Sequence, residues 1–368
     1  MNKICVISNY APHYRTNIFM LMDKELSCDF YFGNKMKDIK KMDYSLLKNF
    51  KKEVKNVIIH KPVYYQKGVL SLLFKKYSEY IITGETICIS TWLFLLLSKI
   101  FNKKAYVWTH GWYGKETKFQ AAVKRFFFSM AEGVLLYGDY AKQLMMKEGF
   151  NEKKLYVVYN SLAYDEQTEI RSNIEKTDIF EEHFKNNCHN LIFAGRLTQG
   201  KQIDMLLQAL SELKQQNANY NLTLVGDGEM KTKLLNMVQE LDIQCNVWFY
   251  GATYNEHELS GLFYNADLCV SPGNIGLTAI HAMTYGCPVI THGNFSYQMP
   301  EFEAIEKEKT GDFFTYNDAN SLVQAIKNWF ENNYRRDEIR KKCYRVVDEK
   351  YNPHYQLNAI KSALTAIY

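Results

Sequence analysis

Short apolar runs rich in β-branched residues alternate along the chain with longer runs whose apolar positions follow helical spacing. In the first half, the strand-like runs KICVIS, TICIS, KAYVWT and GVLLY each precede a helix-like run. In the second half, NLIFAG, YNLTLVG, NVWFYG, ADLCVSP and CPVITHG alternate with helix-like runs in the same way. Because strands that alternate with helices form parallel sheets, the pattern predicts an α/β fold.

The alternation falls into two series, which the polar stretch from Ala163 to Asn190 separates. A chain of 368 residues is too long for one ordinary core, and it suits two doubly wound, Rossmann-like domains. We place these domains at residues 1–165 and 166–350, and we expect a C-terminal helix in 351–368 that crosses back to the first domain. Within the polar stretch, EQTEIRSNIEKTD is typical of a linker or a surface excursion.

The composition is that of a globular protein, with 47% hydrophobic and 23% charged residues. Eight cysteines are scattered without a C-x-x-C pair, which argues against a zinc site or a disulfide framework and favours a reducing cytosol. The run MNKICVISNYAP enters a strand without the apolar segment of a signal peptide. The longest apolar run, ISTWLFLLLSKIF, is too short to span a bilayer, so we expect a cytoplasmic protein.

Charge is distributed unevenly between the two halves. Through Asn160 there are 26 Lys and Arg against 13 Asp and Glu, a net of +13, whereas the remainder has a net of −8. This asymmetry favours an anionic surface or substrate beside the first half, with solubilising lysines as the alternative. The segment YYQKGVLSLLFKKYSEY fits either a membrane face or a buried amphipathic helix with solvated lysines. We expect no nucleic-acid partner, because no RNP, zinc-finger or helix-turn-helix signature is present.

Candidate chemistry is sought in the loops after strands, because parallel α/β sheets bind ligands outside the carboxyl ends of their strands. After NLIFAG, Arg196 and Lys201 flank a short turn that leads into a helix. Two cations beside a helix N-terminus suit a diphosphate, since backbone N–H groups and fixed positive charge add. Two solvated loop cations are the alternative interpretation.

A second loop of this kind follows ADLCVSP. Gly273 and Gly276 let the backbone approach a ligand closely, and Leu277 and Thr278 are predicted to begin a helix. Glycines that merely turn a corner are the alternative. Taken together with the cationic turn and in this order along the chain, the two loops predict a phosphate site.

The ordered segments resemble the retaining glycosyltransferases of family 4, which have the GT-B fold. The matching segments are AGRLTQGKQIDMLLQAL, LVGDGE, ADLCVSPGNIGLTAIHAMTYGCPVI, MPEFEAIEKEKTGDFF and, in the first half, GVLLYGDYAKQLMMKEGF with KLYVVYNSL. The resemblance is strong from Leu191 to Phe314 and weaker before Ala131. It implies two Rossmann-like domains that face each other across a cleft, the first binding the acceptor and the second binding a nucleotide sugar.

The resemblance also implies roles by position. The implied donor-binding residues are Arg196, Lys201, Leu277 and Thr278 for the diphosphate, Gly273, Asn274, Ile275 and Gly276 for the sugar, and Gly251, Ala252 and Thr253 for the base. The family usually has two glutamates eight positions apart, where this chain has Gly273 and His281. An imidazole can donate and accept hydrogen bonds to ribose, so His281 either binds ribose or packs between helix and sheet. The missing glutamates leave the identity of the donor open.

In the first half, YVWTHGWYG presents His110 on a glycine loop. The resemblance implies that such a histidine lies near the anomeric centre of the donor and assists transfer; a strand-end histidine that bonds the backbone is the alternative. In SNYAPHYRTNIF, we interpret His13, Tyr14 and Arg15 as facing the acceptor, with Arg15 available to a phosphate. A helix start shaped by proline is the alternative there.

The sequence therefore predicts a metal-independent glycosyltransferase of the EC 2.4 class, with retention of configuration implied by the resemblance. We expect a glycan or lipid-linked glycan acceptor in bacterial surface polysaccharide or lipopolysaccharide synthesis, at the inner face of the membrane. We expect no cofactor beyond the nucleotide-sugar substrate, because the site has no D-x-D and Arg196 and Lys201 would replace a metal. The alternatives are a sugar-nucleotide epimerase or hydrolase of the same fold, or a degenerate nucleotide-sugar-binding protein.

Overall fold

The computed structural model describes residues 3–34, 39–332 and 335–366. The chain divides into two compact units, one formed by Met1–Ala163 with Asn352–Tyr368 and the other by Tyr164–Tyr351. The domain boundaries expected from the sequence, 165/166 and 350/351, lie within two residues of these limits.

The first unit contains nine strands and four helices before the chain leaves it, within the described residues. The strands are β1 (Ile4–Ser8), β2 (Asp29–Gly33), β3 (Phe50–Val54), β4 (Asn56–His60), β5 (Val63–Gln66), β6 (Glu79–Thr83), β7 (Lys104–Thr109), β8 (Gly133–Leu136) and β9 (Leu155–Val157). The helices are α1 (Thr16–Leu26), α2 (Ile89–Ile100), α3 (Lys118–Ser129) and α4 (Asp139–Lys147). Seven strands form a parallel sheet in the order β3-β2-β1-β6-β7-β8-β9, and β4 and β5 form a separate antiparallel hairpin.

The strand predicted at TICIS is wrong. The strand that precedes α2 is β6, and the segment from Glu85 to Cys88 forms a turn in which the N–H of Cys88 donates to the carbonyl O of Glu85 at 3.0 Å. The N–H of Thr91 then bonds the carbonyl O of Cys88 at 3.1 Å, at the start of α2. EYIIT, which forms β6, and TICIS are both rich in β-branched residues. The sheet has room for only one strand between β1 and β7, and β6 occupies it.

The segment YYQKGVLSLLFKKYSEY is not one amphipathic helix, so that alternative is wrong as well. It divides into the end of β5, a 3₁₀ helix at Val69–Phe74 and the start of β6. Gly68 separates the first two with a φ of +85°, a backbone conformation that favours glycine. Leu72 and Leu73 are buried in the core, whereas Phe74 is 73% exposed.

The second unit repeats the doubly wound plan. Its helices are α5 (Tyr164–Asn173), α6 (Ile179–Phe184), α7 (Ile203–Gln215), α8 (Lys231–Glu240), α9 (Glu256–Asn265), α10 (Thr278–Thr284), α11 (Ala319–Glu331) and α12 (Arg336–Glu349). Its strands are β10 (His189–Ala194), β11 (Tyr220–Val225), β12 (Val247–Gly251), β13 (Leu268–Ser271), β14 (Val289–His292) and β15 (Gly311–Phe314). They form a parallel sheet in the order β12-β11-β10-β13-β14-β15. The predicted α/β architecture of two doubly wound domains is confirmed.

Of the two interpretations of EQTEIRSNIEKTD, the linker is wrong, because most of this stretch belongs to α5, whereas the surface excursion agrees with its mostly exposed residues. Gln167 on α5 is buried, and its Nε2 atom donates to Oε1 of Glu256 on α9 at 3.0 Å. Arg171 donates to both carboxylate oxygens of Asp348 on α12 at 3.0 Å. Two of the polar residues that suggested a linker, Gln167 and Arg171, thus bind other helices of the same unit.

The last helix, α13 (Pro353–Thr365), returns to the first unit. Asn352 caps it, since its side chain accepts the N–H of Tyr355 at 2.8 Å. The Nε2 atom of Gln356 donates to the carbonyl O of Tyr159 at 2.7 Å, and Ile360 is fully buried in the core of this unit. The helix expected in 351–368 therefore exists, and it packs on the first unit.

Candidate functional site

Two loops at the carboxyl ends of neighbouring strands, β10 and β13, lock together in the second unit. The Nζ atom of Lys201 donates to the carbonyl O of Asn274 at 2.6 Å. In return, the N–H of Gly273 donates to the carbonyl O of Lys201 at 3.0 Å. The cationic turn and the glycine loop, which the sequence analysis combined, are therefore in direct contact.

Gly273 is required by this contact. A Cβ atom at position 273 would lie 2.1 Å from the carbonyl O of Gly200 and 2.7 Å from the Cα atom of Lys201. Both are backbone atoms, so any larger residue would have to displace the cationic turn. This close approach is a physical reason why position 273 does not carry a glutamate here.

The electrostatics of the cationic turn are unusual. Burial, together with the positive charge of Arg196 and against the carboxylate of Glu301, lowers the pKa of Lys201 to about 8. Arg196 itself is exposed. These two cations repel each other at the end of β10, and a bound anion would offset that repulsion.

Glu301 borders the same loops and had no role in the sequence analysis. It belongs to a 3₁₀ turn at Pro300–Ala304 and is only 3% exposed. Its Oε2 atom would lie 4.0 Å from a Cβ atom at Gly276. The available signal was an acidic residue within the apolar run MPEF, where a buried carboxylate needs a nearby cation.

Gln298 holds the glycine loop in place, and sequence reasoning missed it too. Its Oε1 atom accepts the N–H of Ile275 at 2.7 Å. Its Nε2 atom donates to Oγ1 of Thr291 and to the carbonyl O of His292, both at 2.9 Å. Gln298 thus ties the glycine loop to the end of β14, and no sequence pattern marks it.

The predicted helix after the glycine loop is short. α10 has seven residues and begins at Thr278, with Leu277 as its N-cap. The hydroxyl of Thr278 donates to the carbonyl O of Ala194 at 3.1 Å, which connects α10 to the end of β10. Leu277 and Thr278 therefore lie beside the cationic turn.

His281 lies on α10 and is paired with a carboxylate. Its Nε2 atom is 2.7 Å from Oε1 of Glu256, the first residue of α9. The same oxygen accepts the hydroxyl of Tyr285 at 2.6 Å. Although burial raises the pKa of Glu256, the hydrogen bond and charge of His281 together with further hydrogen bonds lower it to about 2. Glu256 is a site residue that sequence reasoning missed.

The three residues predicted near the base lie at the end of β12. Gly251 has a φ of +95°, and its carbonyl O accepts the N–H of Gly226 at 2.8 Å. Ala252 is exposed, and the hydroxyl of Thr253 accepts the N–H of Asn255 at 3.1 Å. This loop leads directly into α9, so it ends at Glu256.

In the first unit, a cavity of about 130 Å³ opens at the carboxyl ends of β1, β6, β7 and β8. Its lining includes Tyr14, Arg15, Glu85, Trp108, His110 and Tyr137. The guanidinium of Arg15 lies 4.9 Å from the ring centre of Trp108 and 5.2 Å from that of Tyr137. These cation–π contacts hold the charge of Arg15 at the cavity.

His110 lies in this cavity as a neutral imidazole. Within the described part of the chain, its buried Nδ1 atom has no hydrogen-bond partner. Burial, with the positive charges of Arg15 and Lys124, lowers the pKa of His110 to about 4. The imidazole therefore stays uncharged at neutral pH and keeps a buried polar atom available.

Glu85 is a further cavity residue that the sequence analysis missed. Its Oε1 atom accepts from Nδ2 of Asn9 at 2.8 Å, and its Oε2 atom accepts the hydroxyl of Tyr64 at 2.7 Å. Burial raises the pKa of Glu85, while Tyr64, Arg15 and Asn9 oppose the rise. The mistaken strand at TICIS concealed it, because Glu85 directly precedes that segment.

His13 is the one predicted acceptor residue that does not line this cavity. It is exposed, and its N–H donates to the carbonyl O of Lys40 at 3.0 Å. Tyr14 and Arg15, its neighbours in the same 3₁₀ turn, do line the cavity.

Among the residues that the structure describes, the metal-ligating side chains are scattered. Among those residues, no group of three or more His, Cys, Asp and Glu is arranged to hold a metal ion. The carboxylate of Asp227, in the GDGE turn, accepts the N–H of Gly228 at 2.7 Å and lies 3.4 Å from Lys231. Across the same residues, no helix combines the length and apolar character needed to cross a bilayer.

The chain is similar in sequence to known proteins. Residues 175–346 match the family described as Glycosyl transferases group 1. An uncharacterized glycosyltransferase of Methanocaldococcus jannaschii is 26% identical over 213 residues, which cover 55% of this chain and 51% of that relative. The matched region thus spans about half the length of that curated relative.

Two solved structures resemble the whole chain. The apo form of the lipopolysaccharide outer core galactosyltransferase WaaB has a TM-score of 0.72 at 18% identity, and the match covers 98% of this chain and 99% of that one. Anabaena Alr3699/HepE, solved in complex with UDP, has a TM-score of 0.72 at 15% identity, with complete coverage of both chains. This likeness confirms the expected GT-B fold. Residues 175–346 are thus similar to the glycosyl transferases of group 1, and the whole chain has the fold of WaaB and HepE.

Proposed function

We propose that the chain transfers a sugar from a nucleotide-sugar donor to a glycan acceptor. The observation that carries the proposal is the bond between Lys201 and Asn274, which joins a cationic turn and a glycine loop at the carboxyl ends of β10 and β13. Parallel α/β sheets bind ligands at such positions. Support comes from HepE, which has the same fold and was solved with UDP.

We propose that the donor diphosphate binds Arg196 and Lys201. Burial and the nearby charge of Arg196 lower the pKa of Lys201, and a diphosphate beside the two cations would favour the charged form of Lys201. Arg196 is exposed and free to reorient toward the ligand, whereas Lys201 is held by Asn274. Leu277 and Thr278, at the start of α10, would add backbone N–H groups.

The donor sugar would meet the glycine loop from Gly273 to Gly276. Gly273 packs directly on the cationic turn, and Ile275 is fixed by Gln298. With no side chain at position 273, the contacts to sugar hydroxyls would come from Asn274 and from backbone groups. This differs from the glutamate that the family resemblance implies at position 273.

The ribose would meet the Glu256–His281 pair. His281 stands where the resemblance implies a ribose-binding glutamate, and its Nε2 atom already bonds Glu256. The pair keeps a carboxylate beside that position, since the pKa of Glu256 is lowered to about 2. Glu256 lies three residues after Thr253, the last of the residues Gly251, Ala252 and Thr253 that we propose for the base. The residues proposed for the base would thus lie close along the chain to Glu256 of the ribose pair.

The first unit would supply the acceptor side, with His110, Tyr14 and Arg15 in one cavity. We propose that the neutral His110 hydrogen-bonds the reacting sugar and that Arg15 attracts an anionic group of the acceptor. His13, which lies outside the cavity, would at most contact the acceptor from the surface.

In the proposed reaction, the bond between the anomeric carbon and the diphosphate oxygen breaks, and the acceptor oxygen bonds that carbon. The acceptor proton leaves with the nucleoside diphosphate. Arg196 and Lys201 would stabilise the negative charge that develops on the leaving group, the role that a metal ion plays in other transferases. Retention of configuration is part of the proposal and comes from the family resemblance alone.

We propose a bacterial surface glycan, free or linked to a lipid carrier at the inner face of the membrane, as the acceptor. Support comes from WaaB, a lipopolysaccharide galactosyltransferase with the same fold. The positive charge of the first half, +13 through Asn160, suits an anionic carrier.

One observation favours a second candidate, a sugar-nucleotide epimerase or hydrolase. Glu85 places a carboxylate with a raised pKa in the cavity of His110, and acid–base chemistry needs such a group. Both of its oxygens are already hydrogen-bonded to Asn9 and Tyr64, which favours a structural role instead.

A panel of UDP-, GDP- and ADP-sugars tests the proposed function. A thermal-shift screen first identifies the donor, and the binding donor is then incubated with and without sugar acceptors. Release of nucleoside diphosphate together with a new glycoside supports transfer. Release without a glycoside in every acceptor mixture, an epimerised donor, or binding without turnover would each contradict it.

A further inference from the structure

Helix α2 turns hydrophobic side chains away from the core of the first unit. Four of them recur at the spacing i, i+4, i+7, i+11, which places them on one helix face. They are Ile89, Leu93, Leu96 and Ile100. Their exposed fractions rise along the helix from 39% to 68%. An ordinary surface helix has its apolar stripe toward the core, whereas α2 has this outward stripe in addition to its buried apolar residues.

The inward face of α2 combines apolar and hydroxyl side chains, since Phe94 and Leu95 are fully buried in the core. Ser90, Thr91 and Ser98 are buried, each 5% exposed or less. The hydroxyl of Ser90 accepts the N–H of Gln66 at 3.0 Å, and that of Ser98 donates to the carbonyl O of Leu95 at 2.8 Å. Because the buried hydroxyls of Ser90 and Ser98 have hydrogen-bond partners inside, the outward apolar stripe belongs to the native packing of the helix.

Helix α3 continues the exposed apolar surface beside α2. Phe119 and Phe126 are 78% and 62% exposed, and they lie two turns apart on α3. The rings of Phe126 and Trp92 are 6.1 Å apart, so α2 and α3 share this surface. We define the α2–α3 apolar face by Ile89, Leu93, Leu96, Ile100, Phe119 and Phe126. A surface patch of this kind marks an interaction site.

The sequence around this face is strongly basic. From Lys67 to Ala131 there are ten Lys and Arg against three Glu. The three carboxylates are buried or engaged: Glu79 is 7% exposed, Glu85 is bonded to Asn9 and Tyr64, and Glu116 forms an ion pair with Lys124 at 2.6 Å. The cations Lys76, Lys99 and Lys118 are exposed. The segment therefore combines exposed hydrophobic and exposed positive groups.

We propose that the α2–α3 apolar face binds the surface of an anionic lipid bilayer. α2 has 12 residues and is about 18 Å long, so it would lie in the plane of the interface. Its leucines and isoleucines would enter the boundary between head groups and acyl chains, and the surrounding lysines would bind anionic head groups. A second copy of the chain fits less well, because pairing two such faces would bring like charges together.

The position of this face has a consequence for the acceptor. α2 begins four residues after Glu85, which lines the cavity of His110. A second cavity, of about 290 Å³, lies near the N-terminal ends of α2 and α3. Its lining includes Thr86, Tyr113 and Phe119. If the proposed function holds, a lipid-linked acceptor would enter from the membrane beside the cavity that we assign to it. Bilayer binding itself does not depend on the proposed function.

Vesicle flotation tests this inference with the full chain. The wild type is mixed with vesicles of phosphatidylcholine alone or of phosphatidylcholine with phosphatidylglycerol. We expect binding to the anionic vesicles only, with a marked fall between about 0.1 M and about 1 M salt, where screening shortens from about 10 Å to about 3 Å. Replacement of Leu93 and Leu96 by Asp should lower the bound fraction at least tenfold. The matched control is Leu235→Asp on α8, since Leu235 is 42% exposed and Leu93 is 43% exposed.

Several outcomes would overturn the inference. These are equal binding to neutral and anionic vesicles, no binding to either, or equal loss in the α8 control. A wild type that sediments as a dimer without lipid, and that the Leu93 and Leu96 variant converts to a monomer, would assign the face to self-association. If that variant does not fold by circular dichroism, Lys76→Glu with Lys118→Glu tests the electrostatic part instead, with the same tenfold loss expected. Donor turnover with a lipid-free acceptor should be normal in every folded variant, which separates this inference from the proposed function.

Discussion

The Nε2 atom of His281 lies 2.7 Å from Oε1 of Glu256, and this contact joins the start of α9 to α10. The hydroxyl of Tyr285 and the amide of Gln167 donate to the same oxygen at 2.6 and 3.0 Å. Three donors on one carboxylate oxygen fix the position of Glu256 in the second unit. The contact also fixes the tilt of the imidazole, which stands where the family resemblance implies a carboxylate.

The first prediction concerns pH and stability. The folded pKa of Glu256 is lowered to about 2 from an ordinary value of 4.5, so its bonds stabilise the unit above pH 4.5 and are lost as pH falls toward 2. Glu256→Gln should therefore cost about 1–3 kcal/mol at pH 7, and the difference should shrink below pH 4. Denaturant melts at both pH values measure this. Glu240→Gln, an exposed change on α8, should show no difference, and a pH-independent loss at Glu256 would contradict the pairing.

The second prediction concerns the diphosphate. Arg196→Ala should weaken binding of a nucleoside diphosphate by about 1.5–3 kcal/mol, the range for charged hydrogen bonds, without changing the melting temperature. Lys201→Ala should weaken it as much and also loosen the glycine loop, because Asn274 loses its partner. Calorimetry measures both, with Lys233→Ala on α8 as the surface control. Unchanged affinity in both variants would show that the diphosphate does not bind at this site.

A third prediction follows from the pKa of Lys201, which is about 8. An anion binds the protonated amine, so affinity for the diphosphate should be constant near pH 7 and fall by up to tenfold for each pH unit above 8. The phosphate groups do not contribute, since their last ionisation lies near pH 6. Lys201→Arg keeps its charge over this range and should remove the dependence. A wild-type profile that is flat to pH 10 would show that Lys201 does not bind the anion.

Sequence patterns predict those parts of this protein that depend on neighbouring residues. The alternation of apolar runs and helical runs indicates the parallel sheets, and the glycines and cations after strands indicate which loops to compare. They also led to Gly273 and Lys201, whose backbones touch in the structure. The local pattern is sufficient here because adjacent parallel strands bring their following loops together.

Sequence patterns fail where a residue's partner is distant along the chain. Glu256 is 25 positions from His281 and lies on another helix, and nothing in EHEL distinguishes it from a solvated first turn. The polar run of α5 suggests a linker until Arg171 and Gln167 are seen to bind other helices. TICIS has strand propensity, but β6 already fills its place in the sheet. In each case contacts with distant residues determine the structure of the segment, and these contacts are not contained in its local secondary-structure propensity.

The fourth prediction concerns His110. Its pKa of about 4 keeps the imidazole neutral, so turnover should show no inflection from this group between pH 6 and pH 8. His110→Ala should keep the melting temperature within a few degrees and lose most turnover at saturating donor. His110→Gln, which can still form hydrogen bonds, should retain more turnover than the alanine variant. Near-normal turnover in both variants would make His110 a structural residue.

The fifth prediction uses His281 to find which part of the donor this position contacts. His281→Ala should weaken a nucleotide sugar and its bare nucleoside diphosphate equally, by about 0.5–1.5 kcal/mol, because both contain the ribose. If His281 contacted the sugar, only the full donor would bind more weakly. If it only packed between helix and sheet, the variant would melt lower and bind both ligands normally at low temperature. Calorimetry with both ligands and one melting curve separate these results.

The contact with Glu256 also predicts how a glutamate at position 281 would change stability. His281→Glu would place two carboxylates together in a partly buried site, where like charges disfavour each other. It should therefore melt lower than His281→Ala, although glutamate is the family's usual residue. The exchange variant Glu256→His with His281→Glu restores an opposite pair, and it should regain stability and ribose affinity together. Recovery of stability without affinity would show that the pair is structural and that ribose binds elsewhere.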